Sequence, residues 1–217
     1  YYDELYLPHT SKKSFFNMIY NLIQKVTFFW KWAILRKKSY KLNNLLDIGG
    51  GSGNFSKFLK NKGVNAYNYD PYFKNDANIS TDRKYDVITL WHSLEHIHDI
   101  KKIFSKINSS LSNKGVLYIA IPNHDAYERS YFEEKWVAYD APRHLYHFNP
   151  ETISALLNLY GFCIIKEYSM LQDTAFNIFL SKKNSILKKY IILFKSVFMI
   201  LFNKKISSSL LYVCRKK

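Results

Sequence analysis

Two different hydrophobic patterns divide the chain. Residues 14–38 contain no proline or glycine, and their apolar positions recur at helical spacing, as in Phe15, Ile19, Leu22, Ile23, Val26, Phe29 and Trp30. This pattern predicts an amphipathic helix. From Asn44 onward, short apolar runs alternate with segments of helix length, which is typical of a parallel sheet with crossover helices.

The alternation predicts individual elements. Strands are expected at 45–48, 65–69, 85–90, 116–121, 162–170 and 209–214. Helices are expected at 53–62 and 100–111, closing near Gly63 and Gly115, and at 151–160, after Pro150 and before Gly161. The partly apolar, partly lysine-rich stretch 172–208 is expected to be an insertion. We therefore predict a helical cap at 1–43, followed by one α/β domain at 44–217 that carries a helical insertion.

A glycine-rich turn carries the strongest chemical signal. Asp47 ends an apolar run and leads into Gly49, Gly51 and Gly53 before the next helix, so the backbone can approach a ligand closely and the helix start offers free N–H donors. Asp70 ends the following strand, 23 residues after Asp47, where its carboxylate can bind ribose hydroxyls. Together they predict a nucleotide-like ligand.

These residues resemble the first motif of the class I S-adenosylmethionine-dependent methyltransferases. Residues 85–90 with 93–97 look like the fourth strand and acid-histidine element of that superfamily, and residues 111–123 look like its fifth strand and the preceding turn. The resemblance implies an α/β, Rossmann-like, doubly wound sheet of seven mostly parallel strands with an antiparallel last strand. Residues 140–150, with the opening 1–6, are similar to a bacterial branch associated with surface-polysaccharide biosynthesis, near the quinone O-methyltransferases.

The resemblance also implies a set of residues that bind S-adenosyl-L-methionine. The methionine end would lie against Asp47, Gly49, Gly50, Gly51 and Gly53, and the ribose against Asp70. Pro71 and Tyr72 would edge the adenine, and Trp91 and His92 would close the other side of the pocket. Residues 78–83 depart from the family pattern, because they lack the acidic and apolar pair that often holds adenine.

The acceptor side is expected near a polar and aromatic segment after the fifth strand. We predict His144 as general base, Asp140 as its orienting partner and Arg143 as an anchor for an anionic acceptor. The alternative is that Arg143 and Asp140 pair while His144 is a packed hydrogen bonder. His96 is expected to be structural with Glu95 as its local partner, and His124 is a second candidate for the acceptor site. No metal ligand is predicted, and whether a metal assists stays open.

Charge and composition bear on partners. The net charge of +15 and pI of about 9.6 would suit nucleic acid, an anionic membrane or an acidic substrate, but an AT-rich genome would also enrich lysine. Nucleic acid is not the expected partner, because residues 90–93 lack the Asn/Asp-Pro-Pro-aromatic motif of base amino-group methylation. We expect a small-molecule or glycan acceptor, methylated at a hydroxyl.

Two apolar, lysine-edged segments leave further alternatives open. Residues 14–38 and 185–206 could contact a membrane surface peripherally, cover each other or meet a partner in a homodimer; Lys188 and Lys195 share one face in the second segment. A quinone or lipid-precursor acceptor would fit the membrane version. Two cysteines and no recognisable signal peptide favour a cytoplasmic location. A catalytically inactive binding protein with the same fold is the other alternative.

Overall fold

The computed structural model describes residues 13–39, 41–73 and 83–217, with side chains from residue 24 onward. The chain divides into two units, residues 1–38 and 39–217. In the first unit, helix α1 (Lys13–Lys38) confirms the predicted helix. The opening 1–6 and residues 78–82, on which part of the resemblance rests, lie outside the described residues.

The second unit is a mixed sheet with helices between its strands. Its strands are β1 (Asn44–Ile48), β2 (Asn65–Tyr69), β3 (Tyr85–Trp91), β4 (Leu111–Pro122), β5 (Phe162–Ser169) and β6 (Ser209–Lys216). Its helices are α2 (Asn54–Lys60), α3 (Ile100–Ser110), α4 (Arg129–Phe132), α5 (Pro150–Leu159), α6 (Leu171–Leu180) and α7 (Ile186–Phe202). The described strands lie in the order β2-β1-β3-β4-β6-β5.

Strand direction confirms the predicted fold class. β2, β1, β3 and β4 are mutually parallel, whereas β6 runs antiparallel to both of its neighbours. The described part of the sheet has six strands where seven were expected, and the connection from β2 to β3 includes residues outside the described range. Because the carboxyl ends of the parallel strands share one edge, the loops after β1, β2, β3 and β4 meet there.

Local chemistry sets the helix boundaries. Asn149 caps α5 by accepting a hydrogen bond from the Thr152 N–H at 2.8 Å, and Pro150 occupies the first turn as predicted. Asp99 caps α3 in the same way, by accepting from the Lys102 N–H. One boundary prediction is wrong: Gly115 does not end a helix but lies within β4, because α3 stops at Ser110 and an irregular register separates the start of β4 from its regular part.

The insertion contains two helices, α6 and α7, joined to the rest of the unit by buried polar contacts. Ser208 accepts a hydrogen bond from the Asn177 amide at 2.7 Å, and the Asn123 amide donates to the carbonyls of Lys205 and Ser207. No helix in the described part of the chain has the length and apolar character needed to span a membrane. The apolar segment expected at 185–206 is only partly available to a membrane or a partner, because Ile192 and Ile200 of α7 are buried within the chain.

Candidate functional site

The glycine turn between β1 and α2 adopts a backbone that side chains would oppose. Gly49, Gly51 and Gly53 have φ angles of 75°, 55° and 74°, in the left-handed region where only glycine is unstrained. At Gly50 a Cβ would lie 2.1 Å from Asn68 Oδ1 and 2.4 Å from the Asp47 carboxylate. The turn therefore requires glycine at these positions, and at Gly50 its backbone packs directly against Asp47 and Asn68.

Asp47 of β1 contacts this turn from within the sheet. The sheet register places it between Asn68 of β2 and Thr89 of β3. The carboxylate is 2% exposed, and its Oδ1 accepts a hydrogen bond from Thr89 Oγ1 at 2.6 Å. Its predicted contact with the methionine end of the cofactor stays a prediction, whereas its contact with the sheet is visible.

Asp70 is tied to the same turn. One carboxylate oxygen accepts from the Gly51 N–H at 2.9 Å and the other from the Tyr72 N–H at 3.0 Å. The Asn68 amide donates to the Gly51 carbonyl at 2.8 Å. A carboxylate has about four lone-pair sites, so these bonds orient Asp70 and leave it able to accept from ribose hydroxyls.

The predicted adenine side has an additional aromatic residue. Tyr72 is 60% exposed, and Phe73 places its ring edge 3.8 Å from where a Cβ on Gly51 would be. Phe73 could not be selected from the sequence, because nothing local distinguishes it from its exposed neighbour Tyr72. Pro71 precedes both in the loop that follows β2.

The segment after β3 closes against the glycine turn. Ser93 Oγ donates to the Ile48 carbonyl at 2.9 Å, and a Cβ on Gly49 would lie 2.4 Å from the Ser93 Cβ. Trp91 is largely buried and meets Phe55 of α2 edge-to-face, with ring centroids 6.1 Å apart. This contact fixes the start of α2 against the end of β3.

His92 is engaged by two carboxylates. Its Nε2 lies 2.9 Å from Asp173 Oδ2 in α6, and its Nδ1 lies 3.6 Å from Glu95 Oε1. Burial lowers the pKa of His92, but Asp173 and Glu95 together outweigh it and raise the pKa to about 10. His92 therefore carries a positive charge at neutral pH, which the sequence did not indicate.

His144 is oriented by a backbone carbonyl. Its Nδ1 donates to the Ala138 carbonyl at 2.9 Å, while its Nε2 lies 3.8 Å from Asp140 Oδ2. The role of Asp140 as the orienting partner of His144 stays a prediction, because the Asp140 carboxylate lies beyond hydrogen-bond distance from Nε2. Asp140 instead accepts hydrogen bonds from the Arg143 guanidinium. Burial, more than any other influence, lowers the pKa of His144, which favours the neutral ring.

His96 lies against His144, and its local environment also differs from the prediction. Its Nδ1 donates to the Arg143 carbonyl at 2.9 Å, not to Glu95, because Arg143 and His96 meet across two loops that are distant in sequence. The His96 and His144 ring centroids are 4.7 Å apart. Glu95 is 1% exposed, and neither of its carboxylate oxygens accepts a hydrogen bond from the described residues.

Further rings extend the cluster towards solvent. The His147 ring lies 6.3 Å from that of His144, 6.1 Å from that of His124 and 5.4 Å from that of Tyr139. Burial lowers the pKa of His124, as do Arg129 and His147. Tyr139, His147 and Arg129 border an open cavity of about 580 Å³. The sequence placed His147 in the polar and aromatic segment around His144 and singled out His124, but it did not indicate Tyr139 as a member of the cluster.

Comparisons with known proteins agree with this architecture. A family model described as a methyltransferase domain matches residues 16–167. No curated protein matches by sequence. The structure is similar to a SAM-dependent methyltransferase from Archaeoglobus fulgidus, with a TM-score of 0.54, 18% identity, and coverage of 94% of this chain and 100% of that chain.

Two structures of more specific enzymes share the fold. One is the Burkholderia thailandensis 1,6-didemethyltoxoflavin-N1-methyltransferase with its toxoflavin precursor and S-adenosylhomocysteine, with a TM-score of 0.52, 14% identity and coverage of 85% and 76%. The other is the mitomycin 7-O-methyltransferase MmcR, with a TM-score of 0.53, 11% identity and coverage of 82% of this chain but 51% of that chain.

The family match spans more than two thirds of the chain and includes the glycine turn, Asp70 and the segment after β3. The glycine backbone without side chains and the oriented Asp70 carboxylate fit the adenosyl group of the cofactor. The chain belongs to the methyltransferase-domain family, and its cofactor is S-adenosylmethionine.

Proposed function

We propose that this chain is an S-adenosylmethionine-dependent O-methyltransferase that methylates a hydroxyl of a small molecule or glycan. The observation that carries the proposal is the imidazole of His144, which is held by Ala138 in the tautomer whose Nε2 keeps a lone pair. The His144 ring lies against the ring of His96. His96 is three residues after Ser93, which closes against the glycine turn. We infer that His144 accepts the proton of the acceptor hydroxyl.

The division of labour follows from the two halves of the site. The cofactor supplies a methyl group on a positively charged sulfur, so the leaving group needs no further activation. Gly49 to Gly53 and Asp70 hold and orient it, and alignment of this kind supplies about 7–11 kcal/mol of a barrier. The acceptor side must provide an unprotonated oxygen, which a positioned imidazole promotes by about 10²–10⁴-fold.

A glycan or sugar acceptor is the narrower version of this proposal. It is supported by the similarity of residues 140–150 to the branch associated with surface polysaccharides and by the open cavity beside His147 and Tyr139. Aromatic and imidazole edges of this kind suit the apolar faces and hydroxyls of a sugar. Arg143 is engaged by Asp140, so an anionic acceptor would have to compete with that carboxylate for the guanidinium.

The test combines cofactor binding with a turnover screen. Calorimetry with S-adenosylmethionine is followed by assays over nucleotide sugars, glycans and quinone precursors. Asp70→Ala should weaken cofactor binding about ten- to hundredfold, because a charge-assisted hydrogen bond contributes about 1.5–3 kcal/mol. His144→Ala should slow turnover while leaving cofactor affinity nearly unchanged, and the exposed His98→Ala is its matched control.

The possible results separate the readings. Full turnover by His144→Ala would contradict the role given to that residue. Cofactor binding without turnover on any acceptor would instead favour a methyltransferase-fold binding protein that has lost catalysis. Methyl transfer to nitrogen or carbon only would contradict the O-methylation.

A second candidate, a lipid-linked or quinone acceptor at a membrane surface, is favoured by the exposed face of α7. Phe194 is 74% exposed and Leu201 71%, and Leu187 and Phe198 lie on the same side at helical spacing. Lys188 directly follows Leu187, and Lys195 directly follows Phe194. Each lysine therefore lies roughly 100° around the helix from the apolar face, where it would reach anionic headgroups.

Vesicle sedimentation tests this second candidate. The protein should bind vesicles that contain anionic phosphatidylglycerol more tightly than vesicles of phosphatidylcholine alone, and Phe194→Asp should remove the binding. Loss of a dimer in Phe194→Asp, with no vesicle binding by either protein, would instead assign the face to a second copy of the chain.

A further inference from the structure

Three metal-ligating side chains meet beside the proposed acceptor site. Glu95, His96 and His144 each bring one ligand atom to within 4.8 Å of the others. Glu95 and His96 belong to the single 3-10 turn after β3, and His144 reaches them from the loop that follows β4. The set is therefore assembled from two distant segments, which is why the sequence did not reveal it.

Both imidazoles are held in the tautomer whose Nε2 can bind a metal. His96 Nδ1 lies 2.9 Å from the Arg143 carbonyl, and His144 Nδ1 lies 2.9 Å from the Ala138 carbonyl. A carbonyl oxygen can only accept, so each Nδ1 carries the hydrogen and each Nε2 keeps its lone pair. A backbone carbonyl that accepts from the second ring nitrogen is the usual outer-shell partner of a metal-bound histidine.

Glu95 supplies an independent indication. Its side chain is 1% exposed, and neither carboxylate oxygen accepts a hydrogen bond from the described residues. Buried polar groups are almost always satisfied by donors, and each unsatisfied one calls for an explanation such as a missing ion. Among the described residues, Glu95 forms an ion pair with His92, whose Nδ1 lies 3.6 Å away and whose Nε2 lies 2.9 Å from Asp173.

We propose that Glu95, His96 and His144 bind a divalent transition-metal cation whose open coordination positions take the acceptor hydroxyl. Two imidazole nitrogens and one carboxylate oxygen suit manganese, iron, cobalt, nickel or zinc better than magnesium or calcium, which prefer oxygen ligands. Three protein ligands leave room for a substrate oxygen.

The proposal deepens the proposed function and rests on it for the nature of the acceptor. A bound cation acidifies a hydroxyl coordinated to it. The O–H bond breaks and its proton passes to water; the oxygen then forms a bond to the methyl carbon as the carbon–sulfur bond breaks, and that electron pair stays on sulfur. With the cation bound, His144 assists the proton loss through the cation, whereas in a metal-free reaction its imidazole accepts the proton itself.

Metal binding can be measured without any acceptor. Tag-free protein is dialysed against a chelator and titrated calorimetrically with Co²⁺, Zn²⁺, Mn²⁺ and Mg²⁺, with the Co²⁺ visible spectrum as a second readout. We expect one transition-metal ion per chain and weaker binding of Mg²⁺. Glu95→Gln, His96→Ala and His144→Ala should each reduce affinity by about 100-fold or more, since even outer-shell changes cost about 10–100-fold.

His98→Ala is the matched control, because this exposed histidine is two residues from His96 but outside the ligand set. Circular dichroism and S-adenosylmethionine affinity establish that each variant is folded. The absence of saturable metal binding by the wild type, or unchanged affinity in all three ligand variants, would overturn the site.

Turnover separates this proposal from the one it rests on. O-methylation that stops after chelation and returns with the transition metal supports both. O-methylation that continues at full rate without metal overturns the catalytic part of the metal proposal and leaves the hydroxyl acceptor standing. A saturable metal site in a protein that methylates no hydroxyl would keep the site and contradict the proposed function.

Discussion

Glu128 makes a sharp prediction about stability and pH. Its side chain is fully buried before α4, and one carboxylate oxygen accepts a hydrogen bond from the Ser208 hydroxyl, which itself accepts from the Asn177 amide. Burial raises the pKa of Glu128 from its ordinary value of 4.5 to about 7, although the Ser208 hydroxyl opposes this rise. Because Glu128 lies within the buried hydrogen bonds of Ser208 and Asn177, its titration should dominate the pH dependence of the free energy of unfolding in this region.

The sign and size follow from linkage. Between pH 4.5 and about 7 the folded protein keeps the Glu128 proton and the unfolded chain has lost it, so the free energy of unfolding falls as pH rises. Each pKa unit corresponds to about 1.4 kcal/mol, so the full titration contributes about 3 kcal/mol of stability that is present at low pH and lost above about pH 7.

The variant Glu128→Gln removes this titration while keeping an oxygen for Ser208. Urea unfolding of both proteins at pH 5 and pH 8 gives the change in free energy of unfolding for each. The wild type should lose about 2–3 kcal/mol more than the variant between these pH values. The difference isolates Glu128, because the other titrating groups are common to both proteins.

Glu133→Gln provides the control. The Lys183 ammonium, by hydrogen bond and by charge, lowers the pKa of the exposed Glu133 carboxyl below its ordinary value of 4.5. The stability that this pair adds is therefore lost only as the pH falls below that value. Glu133→Gln should therefore follow the wild type between pH 5 and pH 8. Equal pH dependence of Glu128→Gln and the wild type would show that Glu128 titrates normally, and the reasoning from burial would be refuted.

Two further predictions concern the glycine turn. Gly50→Ala should lower cofactor affinity by about tenfold or more, because its Cβ would displace Asn68 and Asp47. Gly63→Ala is strained by its φ of 80° but has open space for its Cβ and lies outside the turn, so it should leave that affinity unchanged in calorimetry. Thr89→Val should lower the free energy of unfolding in urea by about 1.5–3 kcal/mol, because the hydroxyl that donates to the buried Asp47 is lost; a change below about 0.5 kcal/mol would contradict the importance of this bond.

The fold and the cofactor turn could be predicted because their signals are local. The apolar run into Gly49, the glycine spacing and the acid at the end of the next strand are all contiguous, and parallel pairing brings them together without further information. The contact between Asp47 and Thr89 depends on the register of β1 against β3, and this register can be predicted only when the strand order is known.

The acceptor side could be predicted only in part, because its contacts join distant segments through backbone atoms. His144 was selected because of its polar neighbours in the sequence. Its observed partner is the backbone carbonyl of Ala138, and the pattern of side chains cannot indicate such a partner because every residue has a carbonyl. The same holds for His96 and the carbonyl of Arg143. Residue types alone assign such histidines to the nearest carboxylate in the sequence, whereas the observed hydrogen bonds of His144 and His96 go to backbone carbonyls.

Helical spacing in the insertion left a similar ambiguity. The apolar residues of α7 cover most of its circumference, so spacing could not say which ones face the protein. Ile192 packs with Trp136 and Ile178, whereas Phe194 and Leu201 remain exposed. Only the tertiary position of the helix separates the two sets.

Backbone strain links the insertion to the segments that follow β3 and β4. Among the described residues, three that are not glycine have positive φ: His92, Glu133 and Asp140. Such a conformation costs about 1–3 kcal/mol and persists only where the surroundings enforce it.

Each of these strained residues is held through its side chain by an oppositely charged partner. Asp140 pairs with Arg143 in its own loop, but His92 pairs with Asp173 of α6, and Glu133 pairs with Lys183 between α6 and α7. The insertion thus stabilises two of the three strained positions, one directly after β3 and one in the segment after β4. The loops after β3 and β4 also carry His96 and His144, so removal of α6 and α7 would leave the proposed acceptor side without this support. The glycine turn would keep its own contacts with Asp47, Asn68 and Thr89.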